Sequence, residues 1–260
     1  MVAWVTDLFR AEVSPVFGEK NFNNSGRTGR LRLACGPTVP WCTASQPVPP
    51  SVVLSWCPVR IFIAGATGVI GVRLIPLLVD RGHTVAGMTR SPQKTGLLRE
   101  LGAESVVCDV FDLAALTQAL AAFGPDLVFH QLTDLPDDTA DLVPFSDRND
   151  RIRGEGTHNL LAAAAAAKAE RVIAQSISWE LPSENHRAVT AAHERAVLQA
   201  GGVVIRYGQL YGPGTFYPAA PPQPPRIHVD DAARLTLPTL SVPPGVTIVA
   251  DDRAIQMVVA

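Results

Sequence analysis

An α/β fold built on a doubly wound parallel sheet is predicted by three features of this sequence. Short apolar runs rich in Val, Ile and Phe alternate with helical patterns from about Val59 to Val249. Several helical patterns close on a glycine just ahead of the next apolar run: Gly82, Gly102, Gly124 and the pair Gly201-Gly202. A glycine-rich turn, Gly65 to Gly71, separates the first run from the first helix. Such alternation requires crossover connections, and crossovers place helices on both faces of a parallel sheet.

The elements follow in order. Ile61 to Ala64 reads as a strand, and Val72, Leu74, Ile75, Leu77, Leu78 and Val79 as a helix face that stops at Gly82. A second strand runs from Thr84 to Met88, a helix from Lys94 to Leu101, and a strand from Ser105 to Cys108. A helix from Leu113 to Ala122 ends at Gly124, and Pro125-Asp126 leads into the strand Leu127 to His130. Thr133 to Phe145 is acidic and loop-like. Then come a long helix, Asn149 to Ala169, a strand, Arg171 to Gln175, a helix, Glu184 to Ala200, and a strand, Val203 to Arg206. Beyond Gly208 the pattern changes. Tyr211 to Gly214 is a turn and Pro218 to Pro225 a proline-rich loop. Ile227 to Val229 is extended, Asp230 or Asp231 caps a helix reaching about Leu237, and Val246 to Val249 is a last strand before a short tail. Three parts are expected: a leader over 1–58, poorly ordered apart from one short helix at Trp4 to Val13, a nucleotide-binding domain over 59–210, and a small substrate-side segment over 211–260.

A chain of 260 residues, 47% hydrophobic and 18% charged, fits one large soluble domain with an appendage. Its net charge of −2 gives no basis for nucleic-acid or anionic-membrane binding. No apolar stretch has the length of a membrane span, and no basic segment leads into an apolar core as in a secretory signal. Cys35, Cys42, Cys57 and Cys108 form no CxxC pair, and no histidine cluster has zinc-ligand spacing. Free thiols and a reducing, cytoplasmic compartment are expected. Cys108 reads as a small core residue in preference to a reactive thiol.

The turn at Gly65 carries the chemistry. Gly65 lets the chain leave the strand sharply, Gly68 clears room for a close ligand, and Gly71 lets the helix pack on the sheet. The helix N-terminus offers N–H groups and partial positive charge to an anion. Strand, GxxGxxG turn, helix and strand together predict a site for a dinucleotide pyrophosphate.

Further residues extend the pattern: Thr89-Arg90-Ser91 after the second strand, Cys108-Asp109-Val110, PDLVFH, Asn149 followed by Gly156-Thr157-His158-Asn159, RVIAQS, the segment Val204 to Gly214, and IHVDDAA. With GATGVIG, the combination resembles the extended or atypical short-chain dehydrogenase/reductase superfamily, in its NAD-dependent epimerase/dehydratase branch. The resemblance spans about Val59 to Val249. It implies a Rossmann-type sheet with Gly65, Thr67, Gly68, Val69, Ile70 and Gly71 at the pyrophosphate. It also implies Asp109 and Val110 beside the adenine, and Gln131, Leu132 and Thr133 beside the ribose and nicotinamide. Ser176 and Ser178 stand where the family places a hydroxyl that binds the substrate oxygen. Family members also pair subunits through their long helices, so a homodimer is an expectation. Arg90, with Ser91 and Lys94 behind it, occupies the end of the second strand. A carboxylate there would suit an unphosphorylated ribose and an Arg a 2′-phosphate, so NADP(H) is expected over NAD(H).

The catalytic signature of the family, Tyr-x-x-x-Lys, is missing. Aligning Glu194 with the family's following Glu puts His186 and Thr190 at the two positions. His186 can exchange protons near neutrality, with His193 a second candidate. Tyr207 or Tyr211 could supply a phenol from elsewhere, and His228 with Asp230 could form a dyad, although packing, a strand end and a helix cap are the simpler roles. Two functions stay open. One is an NAD(P)-dependent oxidoreductase or epimerase/dehydratase that acts by hydride transfer on a small carbonyl, alcohol or sugar-like substrate through Ser176, Ser178 and His186. The other is a non-catalytic NADP(H)-binding redox sensor or regulatory protein. The missing Tyr and Lys favour the second. The enzyme is narrowly preferred, because atypical members can work through substituted groups.

Overall fold

The first strand, RIFIA, sends alternate side chains into two different cores, and this sorts the helices onto two faces. Ile61 and Ile63 join a cluster with Leu74, Ile75, Leu78, Val229 and Ala232, whereas Phe62 joins Leu116, Leu120, Leu160 and Ala163. All of these side chains are buried. The structure is a computed structural model that describes residues 58–134, 142–251 and 253–258. The expected leader, its Trp4 to Val13 helix and Cys35, Cys42 and Cys57 lie outside these, as does most of the stretch from Thr133 to Phe145.

The elements are β1 (Arg60–Ala64), α1 (Gly71–Val79), β2 (Thr84–Thr89), α2 (Thr95–Glu100), β3 (Glu104–Val107), α3 (Leu113–Phe123) and β4 (Leu127–His130). They continue with α4 (Leu142–Arg151), a π-turn at Ile152–Gly156, α5 (Thr157–Ala166), β5 (Arg171–Ile177), α6 (Glu184–Gln199) and β6 (Val203–Tyr207). Last come β7 (Gln209–Tyr211), β8 (Arg226–His228), α7 (Val229–Thr236), β9 (Gly245–Ala250) and β10 (Arg253–Val258). The main sheet has the order β10-β9-β6-β5-β4-β1-β2-β3, with every neighbouring pair parallel except β9–β10. The Rossmann-type doubly wound sheet is therefore present. One face carries α1 and α7, and the other carries α3, α5 and α6. No described helix is long and apolar enough to cross a membrane.

Four expectations change. The long helix begins at Leu142 instead of Asn149 and passes through the π-turn. Pro144 sits in its first turn, where no N–H is needed, so the acidic, proline-containing stretch is partly helical. The cap of α7 is His228, whose Nδ1 accepts from the Asp230 N–H at 3.3 Å, and not an aspartate. The end of the chain is not a plain tail: β10 turns back antiparallel on β9 and forms the sheet edge. Residues 245–258 thus extend the main sheet. The segment left over its C-terminal edge holds the small parallel pair β7–β8. Cys108 is a buried free thiol whose pKa burial raises, with Asp112 and Asp109 adding to the effect, as suits a core residue.

Leu74 anchors α1 to the sheet with no exposure. Leu74→Ala is expected to cost about 2–5 kcal/mol of unfolding free energy, read by urea denaturation, as for other buried leucines.

Candidate active site

From β1 the chain winds outward to β2 and β3, then returns to the other side of β1 for β4, β5 and β6. The winding reverses between β1 and β4, and such a reversal opens a crevice at the C-terminal ends of the two strands. Gly65 stands there with φ of +88°. A Cβ on it would overlap the Gln131 carbonyl and lie 2.8 Å from the Leu132 nitrogen. At Gly71 a Cβ would lie 2.5 Å from the Ala66 carbonyl oxygen, and at Gly68 it would lie 3.2 Å from that of Gly65. The loop is held by Ala66 N–H to the Met88 carbonyl (3.2 Å) and Gly68 N–H to the Gly65 carbonyl (3.1 Å). Among the described residues the N–H groups of Val69, Ile70 and Gly71 find no acceptor, and no side chain caps α1. Bare backbone, room where a Cβ would crowd, and free donors at a helix N-terminus fit a pyrophosphate. Thr67 contributes a hydroxyl 3.4 Å from that of Thr89.

The other expected coenzyme residues stand at neighbouring strand ends. Val110 is buried, its carbonyl accepts from Asn159 Nδ2 at 3.0 Å, and it packs where Gly156 lacks a side chain. Asp109 is exposed and bonds the Phe111 N–H at 3.0 Å. Gln131 is 4% exposed, and its amide lies beside the Tyr207 hydroxyl. The Leu132 carbonyl accepts from Gln175 Nε2 at 3.0 Å. Arg90 is half exposed and lies 3.6 Å from Asp134, which also takes a forked pair of bonds from Arg148 at 3.0 and 3.1 Å.

One residue that the sequence reading missed ties this loop down. Arg73 on α1 donates Nη1 to the Val69 carbonyl (2.9 Å), Nη2 to the Pro213 carbonyl (2.6 Å) and Nε to Asp230 (2.6 Å). It joins the glycine turn to the C-terminal segment. The available signal was an arginine on the first turn of an otherwise apolar helix.

The remaining candidates gather around β5 and α6. The Ser176 hydroxyl donates to Glu194 at 2.5 Å, and Arg206 forks onto the same carboxylate at 2.9 and 2.6 Å. Burial pushes the Glu194 pKa up, but the bonds from Arg206 and Ser176 outweigh it and leave the pKa below the usual value. Ser176 is thus committed to an ion pair whose carboxylate is buried and whose guanidinium is partly exposed. The Ser178 hydroxyl, just past β5, is buried and without a partner among the described residues. In the first turn of α6, His186 Nδ1 meets Asp150 at 2.5 Å. One turn on, the Thr190 hydroxyl donates to the His186 carbonyl (2.7 Å) and accepts from Arg153 Nη1 (2.8 Å). Because α6 runs back along β5, its first turn and Ser178 share the C-terminal edge of the sheet. Asp150 and Arg153 carried no motif, and only the fold brings them to α6.

His193 is not free for catalysis. Its Nε2 donates to the Gln175 carbonyl at 3.0 Å, so in the neutral ring Nδ1 accepts from Thr157 at 2.7 Å. Thr157 then accepts from His130 Nε2 at 3.0 Å. Burial holds both rings below the usual imidazole range. Tyr207 lies in the core against Thr236, with its pKa pushed up to about 12 by burial. Tyr211 bonds Asp251 at 3.1 Å and meets the His228 ring edge-on. His228 and Asp230 serve as helix cap and as partner to Arg73.

A family model described as NAD(P)H-binding matches residues 65–200. The 3-diazoavenalumate denitrifying reductase of a Streptomyces species is 35% identical over 181 residues, covering 61% of this chain and 58% of that protein. Cinnamoyl-CoA reductase 1 of Petunia hybrida is 36% identical over 118 residues, covering 43% of this chain and 33% of that protein. The chain thus spans less than two thirds of these relatives. Among solved structures, UDP-glucose 4-epimerase from Thermus thermophilus in complex with NAD superposes with a TM-score of 0.59 at 20% identity, covering 75% of this chain and 79% of that one. The Thermotoga maritima UDP-glucose 4-epimerase with UDP-glucose gives 0.61 at 16%, covering 75% and 78%. These likenesses show the fold.

Because His130 and His193 have lowered pKa values in the folded state, the unfolded chain binds protons first as pH falls through the ordinary value of 6.5. Their stabilising effect is whole above that pH and drains away below it. The thermal midpoint should fall between pH 7.5 and 5.5, at a limiting slope of about 1.4 kcal/mol per pH unit for each histidine. Melting curves of His130→Gln should show a flatter dependence.

Proposed function

As the chain belongs to the NAD(P)H-binding family, in the reductase and epimerase/dehydratase branch that its motifs resemble, we propose that it is an NAD(P)H-dependent reductase of a small carbonyl compound. The reading rests on the glycine cradle at the β1–β4 crevice. Side chains at Gly65 and Gly71 would collide with backbone, Gly68 is exposed with a Cβ seat 3.2 Å from the Gly65 carbonyl oxygen, and the N–H groups of Val69, Ile70 and Gly71 are unspent among the described residues. Gly65, Thr67, Gly68, Val69, Ile70 and Gly71 would hold the pyrophosphate. Asp109 and Val110 would flank the adenine, and Gln131 and Leu132 the ribose and nicotinamide. The bound coenzyme supplies hydride exchange with a carbonyl or alcohol carbon.

The chain itself positions the oxygen and moves the proton. Ser178, with a hydroxyl that bonds nothing else, donates to the substrate oxygen. Asp150 fixes the His186 ring through Nδ1–H and leaves Nε2 to exchange the proton. Ser176 serves from behind, holding β5 to α6 through Glu194. Arg90 and Arg148, both drawn to Asp134, support NADP(H) over NAD(H), since guanidinium forks match a 2′-phosphate. The named reductases among the relatives support turnover over the sensor role.

Fluorescence titration should give a dissociation constant for NADPH about tenfold below that for NADH. Gly68→Asp sets a carboxylate in the phosphate seat and should weaken both by about tenfold or more with little change in melting temperature. Arg90→Glu should erase the preference. Failure of the wild-type protein to bind either coenzyme would overturn the reading.

With a carbonyl compound that is turned over, Ser178→Ala and His186→Ala should each lower kcat by about 100-fold or more. Ser176→Ala should act mainly on melting temperature. Equal activity in all three variants would remove the assigned roles.

A further inference from the structure

Arg153 makes no ion pair among the described residues. It lies on the π-turn between α4 and α5, half-buried, and its Nη1 donates to Thr190 at 2.8 Å. Among the described residues its guanidinium makes this one hydrogen bond and no ion pair. A guanidinium has five N–H donors. Burial lowers its pKa from the usual arginine value, against the opposing pull of Asp150 and Glu194. Those two carboxylates are already spent, Asp150 on His186 and Glu194 on Arg206 and Ser176. Its remaining N–H donors are not sealed from solvent, so they are open to a ligand.

Its surroundings say what that is. The helical stretch that carries Arg153 grips the first two turns of α6 twice, by Asp150 on His186 and by Arg153 on Thr190. The Thr190 hydroxyl closes the unit by donating to the His186 carbonyl at 2.7 Å. The other ionisable groups that act on it are His193 and Glu194 on α6 and His130 on β4. Both imidazoles among these are neutral in the hydrogen-bonded chain through Thr157. Helix α6 itself offers no cation at Thr190.

We propose that Arg153 is a positioning residue that brings from the π-turn the positive charge α6 lacks, and that its remaining donors take an electron-rich oxygen of the bound coenzyme ribose or of the substrate beside His186. The inference rests on the reductase reading and adds a charged group to it. The donors are anchored through Thr190, so an arriving oxygen meets a guanidinium already oriented.

Three variants test this in the full chain: Arg153→Lys, which keeps the charge, Arg153→Gln, which removes it, and Arg153→Gln with Thr190→Lys, which moves it onto α6. The apo melting temperature of Arg153→Gln should change little, because the partly exposed guanidinium makes one hydrogen bond among the described residues. Its NADPH dissociation constant should rise by about fivefold or more, and kcat should fall by about tenfold or more with KM changing less. Arg153→Lys should retain most of both, and the double variant should regain a substantial part. A lower apo melting temperature with unaltered NADPH binding marks Arg153 as structural and overturns the proposal. So does a loss that Thr190→Lys leaves unrepaired. A wild-type protein that binds no coenzyme sinks the reductase reading and this inference together, whereas tight wild-type binding that Arg153→Gln leaves untouched sinks the inference alone.

Discussion

The site depends on one close approach between backbones. Where β1 ends, Gly65 lies so near the Gln131 carbonyl and the Leu132 nitrogen that no side chain fits. The contact sits at the point where the winding reverses, so it joins the two halves of the sheet and sets the direction in which the loop leaves. From that direction follow the hydrogen bond of Ala66 to β2, the tight seat of Gly71 against Ala66, and the aim of the α1 N-terminus across the crevice. A larger residue at position 65 would push β4 away and lose both the loop and the crevice. The positive φ adds a second, independent demand for glycine.

The two faces of the sheet then divide the work. On one face, α1 and α7 are tied by Arg73, which spans Val69, Pro213 and Asp230 and so fixes the C-terminal segment relative to the phosphate loop. On the other, α3, α5 and α6 pack together and bring Asp150 and Arg153 to α6. Binding groups come mainly from strand ends and loop backbone. The proposed acid–base groups come from one helix and its neighbour. The edges of the sheet, β3 on one side and β10 on the other, contribute little to either.

Most strands were legible because an apolar run flanked by turn signals has few other readings. Leu127–His130 was placed to the residue, and the glycine turn after β1 was legible because Gly65 and Gly71 each answer a separate steric demand. The misses have physical causes. The Pro144 region was read as a loop because proline and acid residues suit both loops and first helical turns. β10 was missed because a short edge strand carries a weak signal and depends on a turn at Asp251 for its pairing. Arg73, Asp150 and Arg153 were invisible because their partners are distant in the chain: Asp230 is 157 residues from Arg73, and Thr190 is 37 from Arg153. Ser176 and Ser178 could not be told apart, since only the position of Glu194 shows which hydroxyl is already taken.

Helix α6 explains why the proposed acid–base groups were the hardest to read. Its inward face is polar where an amphipathic helix would be apolar: His186, Thr190, His193 and Glu194 follow helical spacing, and only Val197 then reaches the apolar core. A search for apolar periodicity sees an alanine-rich helix with stray histidines. A buried polar stripe is tolerable only if each group finds a partner, and here the partners come from α4, the π-turn, α5, β5 and β6 in turn. Five elements reading one helix leave it a single register, because a slip of one residue would break every pairing at once. That rigidity is what a catalytic helix needs if a histidine is to do the work of a tyrosine and the positive charge must come from another element. Against this background the Ser178 hydroxyl, buried and without a partner among the described residues, is the group that the proposed reading assigns to the substrate oxygen.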